Sequence, residues 1–227
     1  MMKNKFILLF ILFAIATVIS QNNVAKYNVL FKVQNPKRES AFMNQLSEAS
    51  KNLEFELVFN DSVSYFSVSD KVVLDDTSFE KAASKIISKG DYLFRKNQSR
   101  FFVINAPVYY EKQKDTLAWN ITSETKKIQN FTCYKATKIK KVTNQRGSFN
   151  HEIIAWFCPE IPFSYGPNEY NGLPGLIVEL IEMPANHFVL KSLVLKKGDV
   201  KIKTLDKLQE VEEKKYFDAL KSNLPQR

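Results

Sequence analysis

The sequence predicts a mainly β protein, an antiparallel meander curled into a bowl-like half-barrel with two or three helices, one of them C-terminal. Three observations lead there. Strand-like alternation dominates the chain, helical periodicity is confined to three short stretches, and two cysteines fall opposite each other in one hairpin. The 227 residues are 44% hydrophobic, 25% charged and 13% aromatic, which excludes a disordered, collagen-like or polytopic membrane chain. Two cysteines and two histidines, His151 and His187, exclude a multi-zinc protein and a disulfide-dense mini-fold.

The first residues read as a leader. Lys3 and Lys5 precede the apolar run Phe6–Ile19, and Ser20 closes it before Gln21-Asn22-Asn23. A basic start, an apolar middle too short for a bilayer and a small residue at the end make a secretory signal peptide over 1–20, cleaved after Ser20, with an uncleaved anchor helix as the alternative. A single β-rich domain is expected over 21–227. No cysteine precedes Cys133, so no lipid anchor is expected, and no later apolar run reaches the ~18 residues of a membrane helix. The expectation is an exported protein, periplasmic or secreted, and soluble.

The elements follow in order. Strands are expected at Tyr27–Val33, Leu53–Phe59, Ser62–Val68, Arg100–Tyr110 with Pro107 at a bend or edge, Thr116–Ser123, Phe131–Val142, Asn150–Cys158, Leu176–Met183, His187–Leu195 and Val200–Lys203. Leu53, Phe55, Leu57 and Phe59 share one face, and Asn60-Asp61 is the turn after them. Helices are expected over Ser40–Asn52, over Lys81–Lys89 after a capped start at Asp76–Glu80 with a stop at Gly90, and over Asp206–Lys221, where Leu208, Val211, Tyr216, Phe217 and Leu220 form a stripe. Nine to eleven strands joined by short loops favour a meander, which could close as a barrel, stack as a sandwich or stay open.

One hairpin fixes its own register. With Asn144-Gln145-Arg146-Gly147 as the loop, Val142 faces Phe149, Lys140 faces His151, Lys135 faces Trp156 and Cys133 faces Cys158. Opposed residues lie close enough for a disulfide, and an envelope location is oxidising. Two free buried thiols, or a redox or metal pair, are the alternatives. Tyr134 faces Phe157 on the other side, so both faces are partly apolar, and a curved sheet with a partly apolar hollow is expected.

The segment Gly166–Ile177 concentrates glycine and proline. Asn171-Gly172 favours a left-handed turn, Leu173-Pro174 an extended or turn dipeptide, and Gly175 tolerates positive φ before an apolar strand. It is no phosphate loop, because neither the Gly-Lys spacing nor a following helix is present. Residues Gly172, Leu173, Pro174, Gly175, Leu176 and Ile177 spell GLPGLI. With Thr132–Thr137, Ala155-Trp156-Phe157, Pro159–Pro162 and Tyr165-Gly166-Pro167 they resemble the GLPGLI family of secreted Bacteroidetes proteins. The resemblance implies a signal-peptide-bearing envelope protein of uncharacterised function and carries over no catalytic residue. The chain is also similar to the bowl-shaped N-terminal domain of some bacterial N-glycanases and to half-barrels that carry lipoproteins, both of which imply an open curved sheet.

Three functions are consistent with this reading. The first is an envelope binding module for an apolar or mixed ligand, with Trp119, Trp156, Phe157, Phe163, Tyr165 and Tyr170 as candidate lining, or simply as core. The second is a partner of an outer-membrane transport or secretion system. The third is a glycan hydrolase using paired carboxylates, with Glu160, Glu169, Glu179, Glu182 and His151 as the candidates. No nucleophile elbow, HExxH or Cys-His signature is present, and no catalytic residue, cofactor or metal is assigned. The net charge of +9 comes from scattered lysines. Only Lys138–Lys141 and the group Lys196, Lys197, Lys201 and Lys203 cluster, without a nucleic-acid-binding motif. Lysine-protected sheet edges, or attraction to anionic headgroups or acidic glycans, account for them. Asp61-Ser62-Val63 and Asp115-Thr116-Leu117 resemble O-glycosylation sites of Bacteroidetes envelope proteins.

Overall fold

A computed structural model describes residues 22–31, 40–72, 75, 77–114, 118–144, 147–182, 186–197 and 200–222. The expected leader, the hairpin tip Gln145-Arg146, residues 115–117 and Asp76 lie outside the described residues.

The chain is mainly β. Its strands are β1 (Asn22–Phe31), β2 (Glu54–Phe59), β3 (Val63–Val68), β4 (Asp91–Arg95), β5 (Arg100–Asn105), β6 (Val108–Gln113), β7 (Asn120–Ile128), β8 (Phe131–Asn144), β9 (Gly147–Cys158), β10 (Leu176–Glu182), β11 (Asn186–Lys197) and β12 (Gln209–Glu210). The helices are α1 (Ala41–Ser50), α2 (Phe79–Ile87) and α3 (Glu213–Ser222). One open sheet runs β12-β6-β5-β4-β3-β2-β1-β11-β10-β9-β8-β7. It is two meanders, β1 to β6 and β7 to β11, joined where β1 pairs with β11. All pairs are antiparallel except β12 with β6.

Four expectations need correction. β4 was not foreseen: Tyr92, Leu93 and Phe94 are all buried, so this five-residue strand has no alternation to read. Arg100–Tyr110 is two strands, because the chain turns at Asn105–Pro107 through a cis Ala106–Pro107 bond. Val200–Lys203 is not a strand, and the last helix starts only at Glu213. Residues 200–208 instead cross the outer face as an irregular strap. Ile202, Leu205 and Leu208 cover a small cluster of Tyr65, Leu93, Phe102 and Ile104.

The main core lines the inner face without a break, from Phe101 and Tyr110 on the first meander to Ala136 on β8. Phe55, Phe66 and Phe188 interlock at its centre, with rings 5.4 to 5.9 Å apart. Helices α1 and α2 are N-capped by Ser40 and Ser78, whose hydroxyls accept from Met43 N and Lys81 N. They bury Leu46, Ala49, Ala83 and Ile87 over this face. Tyr216 and Phe217 of α3 pack on Tyr110.

The predicted hairpin register is realised over its whole length, including Lys135 with Trp156 and Val142 with Phe149. Cys133 and Cys158 form the disulfide, with Cα atoms 4.3 Å apart. From Cys158 the chain does not turn tightly into β10. Residues 159–175 fold back over the inner face, and Ile161, Tyr165, Tyr170 and Leu173 enter the core. Backbone bonds from Leu176 N to Ile161 O and from Ile177 N to Tyr165 O (both 2.9 Å) tie this connection to the start of β10. The Tyr27 hydroxyl donates to Ile177 O at 2.7 Å.

Two glycines of the motif serve different ends. A Cβ on Gly175 would sit 2.3 Å from the Cys158 carbonyl oxygen, so the residue is small because two backbones touch there. Gly172 has φ +89° and open space around its Cα, so only its conformation requires glycine. Gly175→Ala is therefore expected to cost about 3 kcal/mol, because backbone must shift. Gly172→Ala is expected to cost about 1 kcal/mol. Denaturant titration of both variants measures the difference. Cys133→Ser with Cys158→Ser opens a loop of sequence separation 25 and is expected to cost about 3–4 kcal/mol in the same assay.

Candidate functional site

The two meanders curl toward each other, and Glu169 of the 159–175 connection stands where they meet. Its carboxylate lies 2.6 Å from Lys140 Nζ on β8 and 3.8 Å from Lys112 Nζ on β6. Those strands are nine spacings apart in the sheet, roughly 40 Å if it were flat. One side chain can bridge them only because the sheet is a trough with the connection running through it.

Beside this bridge is a cavity of about 160 Å³ walled by the end of α2, β4, β8, β9, β10 and the connection. Lys140 reaches Glu169, the Glu182 carboxylate at 2.9 Å and the Tyr170 hydroxyl at 3.3 Å. Tyr170 donates to the same Glu182 oxygen at 2.8 Å. The three charged side chains are 27%, 23% and 19% exposed for Lys140, Glu169 and Glu182, so solvent screens them only in part. Burial pushes the Glu169 carboxyl up, but Lys140, Lys112 and Lys89 outweigh it and hold the group below its ordinary value. Burial pulls the Lys140 ammonium down, and Glu182 and Glu169 more than restore it. Burial, then Glu182 and Glu169, push the Tyr170 hydroxyl well up.

Two amides complete the wall. Asn168 and Asn186 both donate Nδ2 to the Ile87 carbonyl at the C-terminus of α2, at 3.2 and 3.4 Å. A helix end leaves such carbonyls unpaired, and these amides satisfy one. The bond fixes which end of each amide points where. Both Oδ1 atoms are left buried and without a hydrogen-bond partner among the described residues, although Asn168 is only 4% exposed.

The expected aromatic residues divide among four places. Tyr170 is in the cavity wall, and Trp119 lies behind it, with ring centroids 6.2 Å apart and Nε1 donating to Asn171 O at 2.9 Å. Phe163 and Tyr165 pack on Phe59, at 4.9 and 6.1 Å, and line a different cavity. Phe157 is core, 6.1 Å from Tyr134. Trp156 is on the outer face, where the Lys126 ammonium sits 4.2 Å from its ring centroid.

The carboxylates divide likewise. Glu169, Glu182 and His151 share the cavity. Glu160 accepts from Thr132 N at 2.8 Å, and Glu179 is on the outer face with Lys126 and His187. In the sequence Lys140 pairs with His151 and reads as one of a lysine cluster that protects a sheet edge or attracts anionic headgroups or acidic glycans, and Tyr92, Asn168, Asn186 and Lys112 carry no signal. Their meeting depends on the buried path of the connection. Among the described residues no cluster of histidine, cysteine and acidic side chains is arranged to hold a metal, and no helix is long and apolar enough to cross a membrane.

Comparison with known proteins supports the fold and leaves the activity open. A family described as "Protein of unknown function (Porph_ging)" matches residues 148–179. That stretch holds β9, the whole buried connection and the start of β10. Two solved structures of PNGF-II, in space groups C2 and P21, are similar at 14% identity with TM-scores of 0.55 and 0.54. Each match covers 87% of this chain and 32% of that one, so the chain spans about a third of the length of PNGF-II. No curated protein matches.

Removing the central cation should expose the cost of the ion cluster. Lys140→Met is expected to lose about 1–3 kcal/mol in denaturant titration, since two carboxylates then share one wall. The pH dependence has a definite sign. Glu169 is lowered in the folded state, so its contribution is present above the ordinary value of 4.5 and lost as pH falls through the lower folded value. Lys140 is raised, so its contribution is present below 10.5 and lost as pH rises through the higher folded value. Melting curves of the wild type and Glu169→Gln should differ at pH 7 and converge as pH falls through that lower folded value.

Proposed function

We propose that the chain is an exported envelope binding module of the GLPGLI type, and that the cavity at Glu169 and Glu182 holds a small polyhydroxy or amino ligand, such as a hexose or hexosamine unit. The observation that carries this is the pair of buried, unpartnered amide oxygens on Asn168 and Asn186, residues that line this cavity together with Glu182. A buried acceptor without a partner is costly, so a ligand rich in O–H and N–H donors gains what these groups lack. Tyr92 and Tyr170 add ring surfaces to the same wall. About 160 Å³ is roughly five waters in volume, enough for one sugar ring and too small and polar for an acyl chain. Export is supported by the leader-like first residues and by the disulfide, a bond of oxidising compartments.

Hydrolysis by the Glu169–Glu182 pair is less well supported. A glycosidase needs one carboxyl kept protonated near neutrality. Here both carboxylates contact one ammonium, and Glu169 is held ionised.

Titration by ligand-observed NMR with glucosamine and with glucose tests the reading, with palmitate as the apolar arm. Saturable binding of a sugar is expected, weakened at least tenfold by Asn168→Ala with Glu182→Gln. Palmitate binding without sugar binding would replace the proposal by an apolar carrier.

A further inference from the structure

A second cavity, about 220 Å³, is lined by the same connection. It is chemically the reverse of the first. Tyr165 is 6% exposed, and its hydroxyl is buried without a hydrogen-bond partner among the described residues. Burial, then Asp61, pushes that hydroxyl up to about 12, so it stays a donor at neutral pH and lacks an acceptor. Lys96 and Lys114 line the same space, with Asp61 the one carboxylate among the described residues there. The Lys114 ammonium donates to Arg95 O at 3.3 Å and lies 5.9 Å from the Phe94 ring centroid, with no carboxylate partner among the described residues. Phe94 and Phe163 supply the flat walls, and each is held by another ring, Phe101 at 4.7 Å and Phe59 at 4.9 Å. Gly172 borders the space, and nothing lies within 4 Å of where its Cβ would be.

We propose that this cavity is a second ligand site that takes a carboxylate carried on a ring. The Tyr165 hydroxyl and the two ammoniums would receive the carboxylate, and the ring would lie between Phe94 and Phe163. A charged acceptor suits this donor surplus best, since hydrogen bonds with one ionised partner are about twice as strong as neutral ones. The fixed aromatic faces favour a ring over a bare anion, because C–H and π surfaces pack on them at little entropic cost. The site is independent of the first, where acceptors are in surplus.

Isothermal titration at pH 7 with sodium glucuronate, sodium benzoate and glucose tests it, and it distinguishes a sugar acid from an aromatic acid. At least one acid is expected to bind saturably and to be unaffected by Glu182→Gln, which alters only the first cavity. Tyr165→Phe removes an unpartnered hydroxyl and should leave the melting temperature unchanged or raised while weakening acid binding about tenfold. Lys114→Gln should weaken it at least tenfold and provides the same reading if Tyr165→Phe does not fold. No binding of either acid, or binding unchanged in both variants, overturns the proposal. So does equal loss in Glu182→Gln, which would assign the acid to the first cavity.

Discussion

The structure depends on one ionic bridge at the centre of the trough. Glu169 belongs to neither meander, yet it contacts a lysine from each. Around it the Lys140–Glu182–Tyr170 contacts extend the same network along β8 and β10. Charges placed there are shielded enough from water to matter and exposed enough to stay ionised, which is the regime where paired groups position walls more than they stabilise the fold. Side chains of the central connection pack in the core between the two meanders.

That connection is unusual because it is core. A stretch without regular structure is normally at the surface, where water satisfies its backbone. Residues 159–175 instead satisfy their backbone through β10 and one another, and they contribute Ile161, Tyr165, Tyr170 and Leu173 to the apolar interior. The family match falls on this stretch and its flanking strands. A single buried connection thus divides the trough into two small cavities, one short of donors and one short of acceptors.

Much of the fold was legible in the sequence. Turn residues and alternation were enough to set the β8–β9 pairing residue by residue and to place the sulfurs together. Alternation carries no signal where a strand is buried on both faces. β4 is buried on both faces and shows no period of two. In the strap, Ile202, Leu205 and Leu208 are spaced like one helical face but lie flat on a sheet. The candidate site was legible only in fragments. Glu169, Glu182, Tyr170 and His151 were each noticed for their chemistry, but nothing in the sequence shows that all four meet, because three separate parts of the chain bring them together. Asn168 and Asn186 carry no sequence signal at all. Their importance comes from the helix carbonyl they satisfy and the oxygen each leaves over.

The strap and β12 also bear on how such a molecule is made. β12 pairs in parallel with β6, and the Tyr109 hydroxyl donates to Glu210 across 101 positions of sequence. During synthesis from the N-terminus, the outer margin of the first meander therefore has to wait for almost half the polypeptide before its neighbour arrives. Until then β6 offers a bare row of amides and carbonyls that a second nascent chain could adopt. Self-association is thus most dangerous early in the life of the chain, and the late-arriving tail covers the start of that edge at Val108 and Tyr109.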